Sequence, residues 1–194
     1  MINKSKFYAD IRINLFGGKL LAPQVAGIDY IFSCWSQSGL KDLRWLAYMF
    51  ATVFHETART MQPIEEYGRG KNYRYGKKLK RSGITYNKPD KIYYGRGYVQ
   101  LTWYENYELM GRLLNVDLLR YPELALRPDV AAKIMFEGMT KGASSFGDFT
   151  GRCLEMYFNS EKEDWVNARK IINGLDKADL IAEYGKRFYK ALIL

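Results

Sequence analysis

Residues 43–54 read Leu-Arg-Trp-Leu-Ala-Tyr-Met-Phe-Ala-Thr-Val-Phe, and Leu43, Trp45, Leu46, Ala47, Met49, Phe50, Val53 and Phe54 fall on nearly every side of a helix. A helix without a polar face has to lie at the centre of a domain, with other elements packed around it. Asp42 opens this helix, and its far end runs into His55-Glu56-Thr57. The chain has 194 residues and is 47% hydrophobic, enough to bury such a helix within one domain.

The wrapping elements are also helical. Ser5 precedes a periodic segment over 6–16 that stops at Gly17-Gly18, and a second segment over 23–35 ends near Gly39. Helical spacing resumes at about Tyr104 with Leu109, Met110, Leu113 and Leu114, and Pro128 marks a first helical turn. Ser160 with Glu163 predicts a capping box ahead of Trp165, Val166, Ile171 and Ile172, with Gly174 as the stop. Asp176 is expected to cap a last helix that carries Leu180, Tyr184, Phe188 and Leu192 on one face. Residues 64–97 have no sustained period and predict loops with room for a short hairpin. The expected fold is mainly α, a single domain over 1–194, with this irregular basic insertion forming one wall of a cleft. Cys34 and Cys153 form no Cys-x-x-Cys and are expected to be reduced core residues. The N-terminus lacks the apolar run of a secretory signal, and the run 45–54 is too short to span a bilayer, so synthesis as a soluble cytosolic chain is expected.

Charge is concentrated in one place. Residues 68–97 carry Arg69, Lys71, Arg74, Lys77, Lys78, Lys80, Arg81, Lys88, Lys91 and Arg96 against Asp90 alone, a surplus equal to the whole chain's net charge of +9. Tyr73, Tyr75, Tyr86, Tyr93 and Tyr94 are interleaved with them. Such a segment attracts a polyanion, whether nucleic acid, an anionic membrane surface or an acidic cell wall, and its rings stack equally well on bases or sugars. A solvated basic loop without a partner accounts for the composition as well.

The residue inventory narrows the chemistry. His55 is the only histidine, which removes multi-histidine metal sites and most histidine-based triads. The phosphate-binding loop and nucleophile-elbow motifs are absent, and carboxylates remain. Glu56, at the end of a buried helix, is placed where desolvation and the helix dipole disfavour charge, which suits a general acid; an ion pair with Arg59 is the structural alternative. Glu65 and Glu66 sit in a more polar setting that suits a base, and two carboxylates in unlike surroundings form an acid and base pair for glycosidic hydrolysis. Gly95 and Gly97 permit tight turns around Arg96, and Gln100, Thr102 and Asn106 offer groups for sugar hydroxyls, acetamido groups and a water.

Together these strings resemble family 19 glycoside hydrolases, the lysozyme-like family of plant-type chitinases and many phage endolysins. The likeness rests on Phe54-His55-Glu56-Thr57, Pro63-Ile64-Glu65-Glu66-Tyr67, Gly95-Arg96-Gly97 with Gln100-Leu101-Thr102, the run from Tyr121 to Lys133, and Ile171-Ile172-Asn173-Gly174. It implies a lysozyme-like α-helical fold with two lobes around a substrate cleft. It also implies Glu56 as catalytic acid, Glu66 as the best match for the base with Glu65 as the other candidate, and Thr102 holding the water. His55, Thr57, Glu65, Tyr67, Arg96, Gln100, Trp103, Asn106 and Asn173 are the implied substrate-binding positions, with no cofactor and no metal. The implied mechanism is inverting, with carboxyls about 6.5–9.5 Å apart.

Tyr98-Val99 stands where the family often has Pro-Ile, Leu175 follows Asn173-Gly174 in place of a second glycine, and the plant disulfides are missing. These departures, with the missing signal, point to the endolysin branch. The expected substrate is then peptidoglycan, cleaved for host lysis by a monomer made in the host cytoplasm and acting in the periplasm or wall, without a separate cell-wall-binding domain. Lys77, Lys78, Lys80 and Arg81 would contact anionic wall or outer-membrane lipopolysaccharide, more weakly as salt rises. The rival readings are a chitinase, a lytic transglycosylase needing only Glu56, and, more remotely, a nucleic-acid-binding protein.

Overall fold

The computed structural model describes residues 2–140 and 149–194. The first helix, α1 (Lys4–Asn14), is capped by the Asn3 side chain, which accepts from the Lys6 N–H, so Asn3 takes the role that the sequence suggested for Ser5. Helix α2 (Ala22–Ser38) ends at Gly39 with φ of 75°. Helix α3 (Leu43–Glu56) starts from Asp42, whose carboxylate accepts from the Arg44 N–H, and every residue from Leu46 to Phe54 is buried. It is the central helix that its all-round apolar pattern requires.

Helix α6 (Ala178–Leu192) is its main neighbour. Gly185 of α6 makes room for the Trp165 ring, which a Cβ there would approach to 2.7 Å. The buried face of α6 is Ala178, Ile181, Ala182, Gly185, Phe188, Ala191 and Leu192. Leu180, expected on that face, is 38% exposed. Phe188 stacks on Phe50 at 5.4 Å and meets Phe54 edge-on at 5.8 Å, while Phe7 of α1 and Phe32 of α2 pack at 5.0 Å, so one aromatic cluster joins four helices.

The outer layer adds α4 (Tyr104–Leu114) and α5 (Pro128–Met139), the latter with Pro128 in its first turn. The basic insertion contains a short antiparallel pair, β1 (Ile64–Glu65) with β2 (Arg96–Gly97), in register Ile64 to Gly97 and Glu65 to Arg96. Gly97 has φ of +86° and backs onto the Ala125 carbonyl, which a Cβ would approach to 2.8 Å. That fit fixes the hairpin against the 3₁₀ turn Pro122–Leu126. Cys34 and Cys153 are free thiols, the second fully buried.

Two expected caps do not form. Glu163 accepts from Trp165 Nε1 at 2.8 Å and lies 3.6 Å from Arg44 in place of reaching back to Ser160. The segment after it closes only as the 3₁₀ turn Asn167–Ile171, with the Asp164 carboxylate accepting from the Asn167 N–H. Asp176 does not cap α6 either; Lys177 occupies the N-cap in a left-handed conformation, with φ of 57°. Among the described residues no helix is long and apolar enough to cross a membrane.

Candidate active site

A cleft with a volume of about 600 Å³ gathers Glu56, Glu66, Gln100, Thr102, Trp103, Asn106 and Asn173. Glu56 is the last residue of α3, and Glu66 directly follows β1, so the central helix and the basic insertion each supply one carboxylate. Polar, uncharged side chains line much of the remaining wall, together with Tyr73, Tyr75, Phe149 and Ile172.

Glu56 does not pair with Arg59. Its Oε1 accepts from Arg169 Nη1 at 2.6 Å, and the two side chains are 15% and 3% exposed. Arg169 lies on the 3₁₀ turn Asn167–Ile171, where its Nε also donates to the Asp176 carbonyl at 3.0 Å. The burial read from the sequence is therefore joined by a cation that fixes the carboxylate and compensates its charge. Arg59 instead lies over the Phe54 ring, 5.3 Å from its centroid.

The two glutamates of the hairpin have different surroundings. Glu65 is bound by Arg69 at 2.9 Å and by the Tyr94 hydroxyl at 2.9 Å, and does not line the cleft. Glu66 does line it, accepting from the Tyr75 hydroxyl at 2.8 Å and from the Gly95 N–H at 3.0 Å, one on each oxygen. Burial, reinforced by the bond to Glu66, pushes the Tyr75 hydroxyl far above the ordinary phenol range, so it remains a donor at any working pH. We expect Tyr75→Phe, which keeps the ring stacked on Tyr73 at 5.2 Å, to lower kcat about tenfold with a smaller change in KM, as steady-state kinetics would show.

Arg96 forms the support behind this wall. It is 5% exposed, donates to the Tyr107 hydroxyl at 2.9 Å and lies 3.6 Å from the centroid of the Tyr94 ring. Two cleft residues are held in unusual backbone conformations, Gln100 with φ of 52° and Trp103 with φ of 80°. Such positive φ values cost on the order of 1–3 kcal/mol each. Paired main-chain bonds between Arg96 and Leu101, with the Trp103 N–H donated to the Tyr93 carbonyl at 2.9 Å, hold the loop in place. Gln100 Nε2 donates to the Ile64 carbonyl at 3.1 Å, and Thr102 Oγ1 donates to the Gln100 carbonyl at 2.7 Å, which leaves the threonine's lone pairs available to accept from a water.

Five of the implied substrate-binding positions lie off the cleft wall. His55 faces a separate hollow with Phe54, Ala58, Arg59 and Tyr184, because successive residues at a helix end point in different directions. Thr57 is completely buried and closes the end of α3 by donating to the Val53 carbonyl at 2.7 Å. Glu65 and Arg96 belong to the hairpin's own network, and Tyr67 is 86% exposed and does not line the cleft. Arg169, Tyr73, Tyr75, Phe149 and Thr150 were not singled out by the sequence. The only signal for the two tyrosines was their place in the basic segment.

The profile of the glycoside hydrolase family 19 group described as chitinase class I matches residues 30–142. An endochitinase of Arabidopsis thaliana is 42% identical over 82 residues, which is 42% of this chain and 29% of that protein. A basic endochitinase of Brassica napus is 38% identical over 90 residues, 45% of this chain and 32% of that protein. The chain thus spans roughly a third of the length of these curated relatives. Solved structures resemble the chain over nearly all its length. A bacterial family 19 chitinase superposes with a TM-score of 0.62 at 20% identity, covering 98% of this chain and 94% of that one. Chitinase C from Streptomyces griseus gives 0.62 at 20% identity, covering 98% and 76%. At this identity the likeness is one of fold, and the observed mainly α-helical architecture is the one these enzymes have.

Proposed function

Because the chain belongs to glycoside hydrolase family 19, we propose that it hydrolyses β-1,4 linkages in a polymer containing N-acetylglucosamine, with Glu56 as general acid and Glu66 as general base. The observation that carries this reading is the meeting of two carboxylates, delivered by separate elements, in one cleft whose other polar side chains are mostly uncharged. In this mechanism Glu56, oriented by Arg169, protonates the leaving glycosidic oxygen. Glu66 takes a proton from a water that attacks the anomeric carbon from the opposite face. Thr102 helps to hold that water, and Gln100, Asn106 and Asn173 bind the sugar.

Chitin is the substrate named for the relatives, and it supports the neutral-polymer reading that the sequence left as an alternative. Peptidoglycan, whose glycan alternates N-acetylglucosamine with N-acetylmuramic acid, is the second reading; its support is the cationic segment beside the cleft. A role as a lysis enzyme of the endolysin kind belongs to that second reading. The test is digestion of chitin oligomers and of purified peptidoglycan by wild type and Glu56→Gln, with fragments identified by mass spectrometry. New reducing ends made by wild type alone are expected on at least one polymer. Their absence from both would overturn the proposal.

A further inference from the structure

The cations of the basic segment differ in what they contact. Arg69 pairs with Glu65 at 2.9 Å, Lys78 pairs with Asp90, and the Lys80 ammonium lies 4.2 Å from the Tyr104 ring centroid. Arg96 is buried behind the hairpin. Arg81 alone lines the cleft; among the described residues on its wall it is the one cation, sharing that wall with Tyr73, Tyr75 and Trp103.

Its main chain is anchored, since the Arg81 N–H donates to Glu105 Oε1 at 2.8 Å at the start of α4. Its guanidinium lies 6.0 Å from the Trp103 ring centroid. The Glu105 carboxylate is engaged by the Arg81 backbone N–H, and among the described residues the guanidinium is in no ion pair. To a neutral sugar a guanidinium offers ordinary single hydrogen bonds, whereas to a carboxylate it offers a planar, charge-assisted pair of donors that is about twice as strong.

We infer that Arg81, beside Trp103 and Tyr75, forms a subsite for a carboxylate carried on the glycan, and so favours an acidic N-acetylhexosamine polymer over a neutral one. The inference rests on the hydrolase reading of the same cleft and adds to it a basis for substrate choice. The carboxylate has two possible sources of one chemistry: the lactyl ether of a muramic acid residue, or the peptide attached to it.

Calorimetric binding in the Glu56→Gln background separates the possibilities, because it does not require turnover. Three probes are compared: N-acetylglucosamine oligomers, peptide-free muramic acid glycan with its lactyl carboxylates exposed, and peptide-bearing glycan. Adding Arg81→Gln is expected to lower the ratio of acidic to neutral affinity about tenfold, the range of one charge-assisted hydrogen bond, with Arg81→Lys recovering part of it. Loss on the peptide-free glycan assigns the lactyl group, and loss only on the peptide-bearing glycan assigns the peptide. An unchanged ratio, or equal weakening of neutral and acidic probes, overturns the inference. A wild-type protein that binds but cuts none of the probes defeats the hydrolase reading while the affinity ratio still reports on Arg81.

Discussion

Glu56→Gln is expected to lower kcat by about two to four orders of magnitude, the usual worth of a positioned general acid. The amide keeps an oxygen that can accept from Arg169 but cannot deliver a proton. The same change carries a stability cost, which arises from the long-range contact with Arg169. Arg169 is 3% exposed, and removing the charge beside it leaves a buried guanidinium with a neutral partner. That is worth roughly 1–3 kcal/mol, and about 2–4 °C in Tm for each kcal/mol in a chain of this size. Activity and thermal unfolding therefore have to be measured together, with the assay run well below the lowered Tm. Full activity in the variant would remove Glu56 from the chemistry.

Glu66→Gln is expected to abolish turnover to a similar degree, about 10²–10⁴-fold, whereas Glu65→Gln is expected to retain most of it. The contrast follows from placement. Glu66 faces the cleft with one hydrogen bond on each oxygen, while Glu65 is held by Arg69 and Tyr94 behind the wall. Glu65→Gln should act on the hairpin, lowering Tm, because it removes the charge 4.0 Å from Arg96, whose side chain is 6% exposed, along with the contacts to Tyr94 and the exposed Arg69. Kinetics of the two variants side by side decide which glutamate is the base. They also separate hydrolysis from a transglycosylase mechanism, in which a single acid is enough and Glu66→Gln stays active.

The parts of the structure legible in the sequence are those governed by local pattern. The 43–54 helix could be read because an element without a polar face has one place to go, and it ends within one turn of the predicted position. Glu56 and Glu66, which line one cleft, each lie in a short contiguous motif that carries the family resemblance. The failures arise where long-range packing decides. Ser160 and Glu163 have a cap's spacing, yet Trp165 and Arg44 compete for the glutamate. His55 and Thr57 flank Glu56 in sequence, but a helix end turns each in a different direction. Arg169 is 113 residues from Glu56, and no local pattern signals a partner at that distance.

The anomeric form of the first product tests the central claim most directly. Proton nuclear magnetic resonance, recorded during the first minutes of cleavage of a β-linked N-acetylglucosamine oligomer or of peptidoglycan glycan, reports which anomer appears before mutarotation. Single displacement by a water held between Glu56 and Glu66 predicts the α anomer. A product that begins as the β anomer, or an anhydro end in place of a reducing sugar, would contradict it.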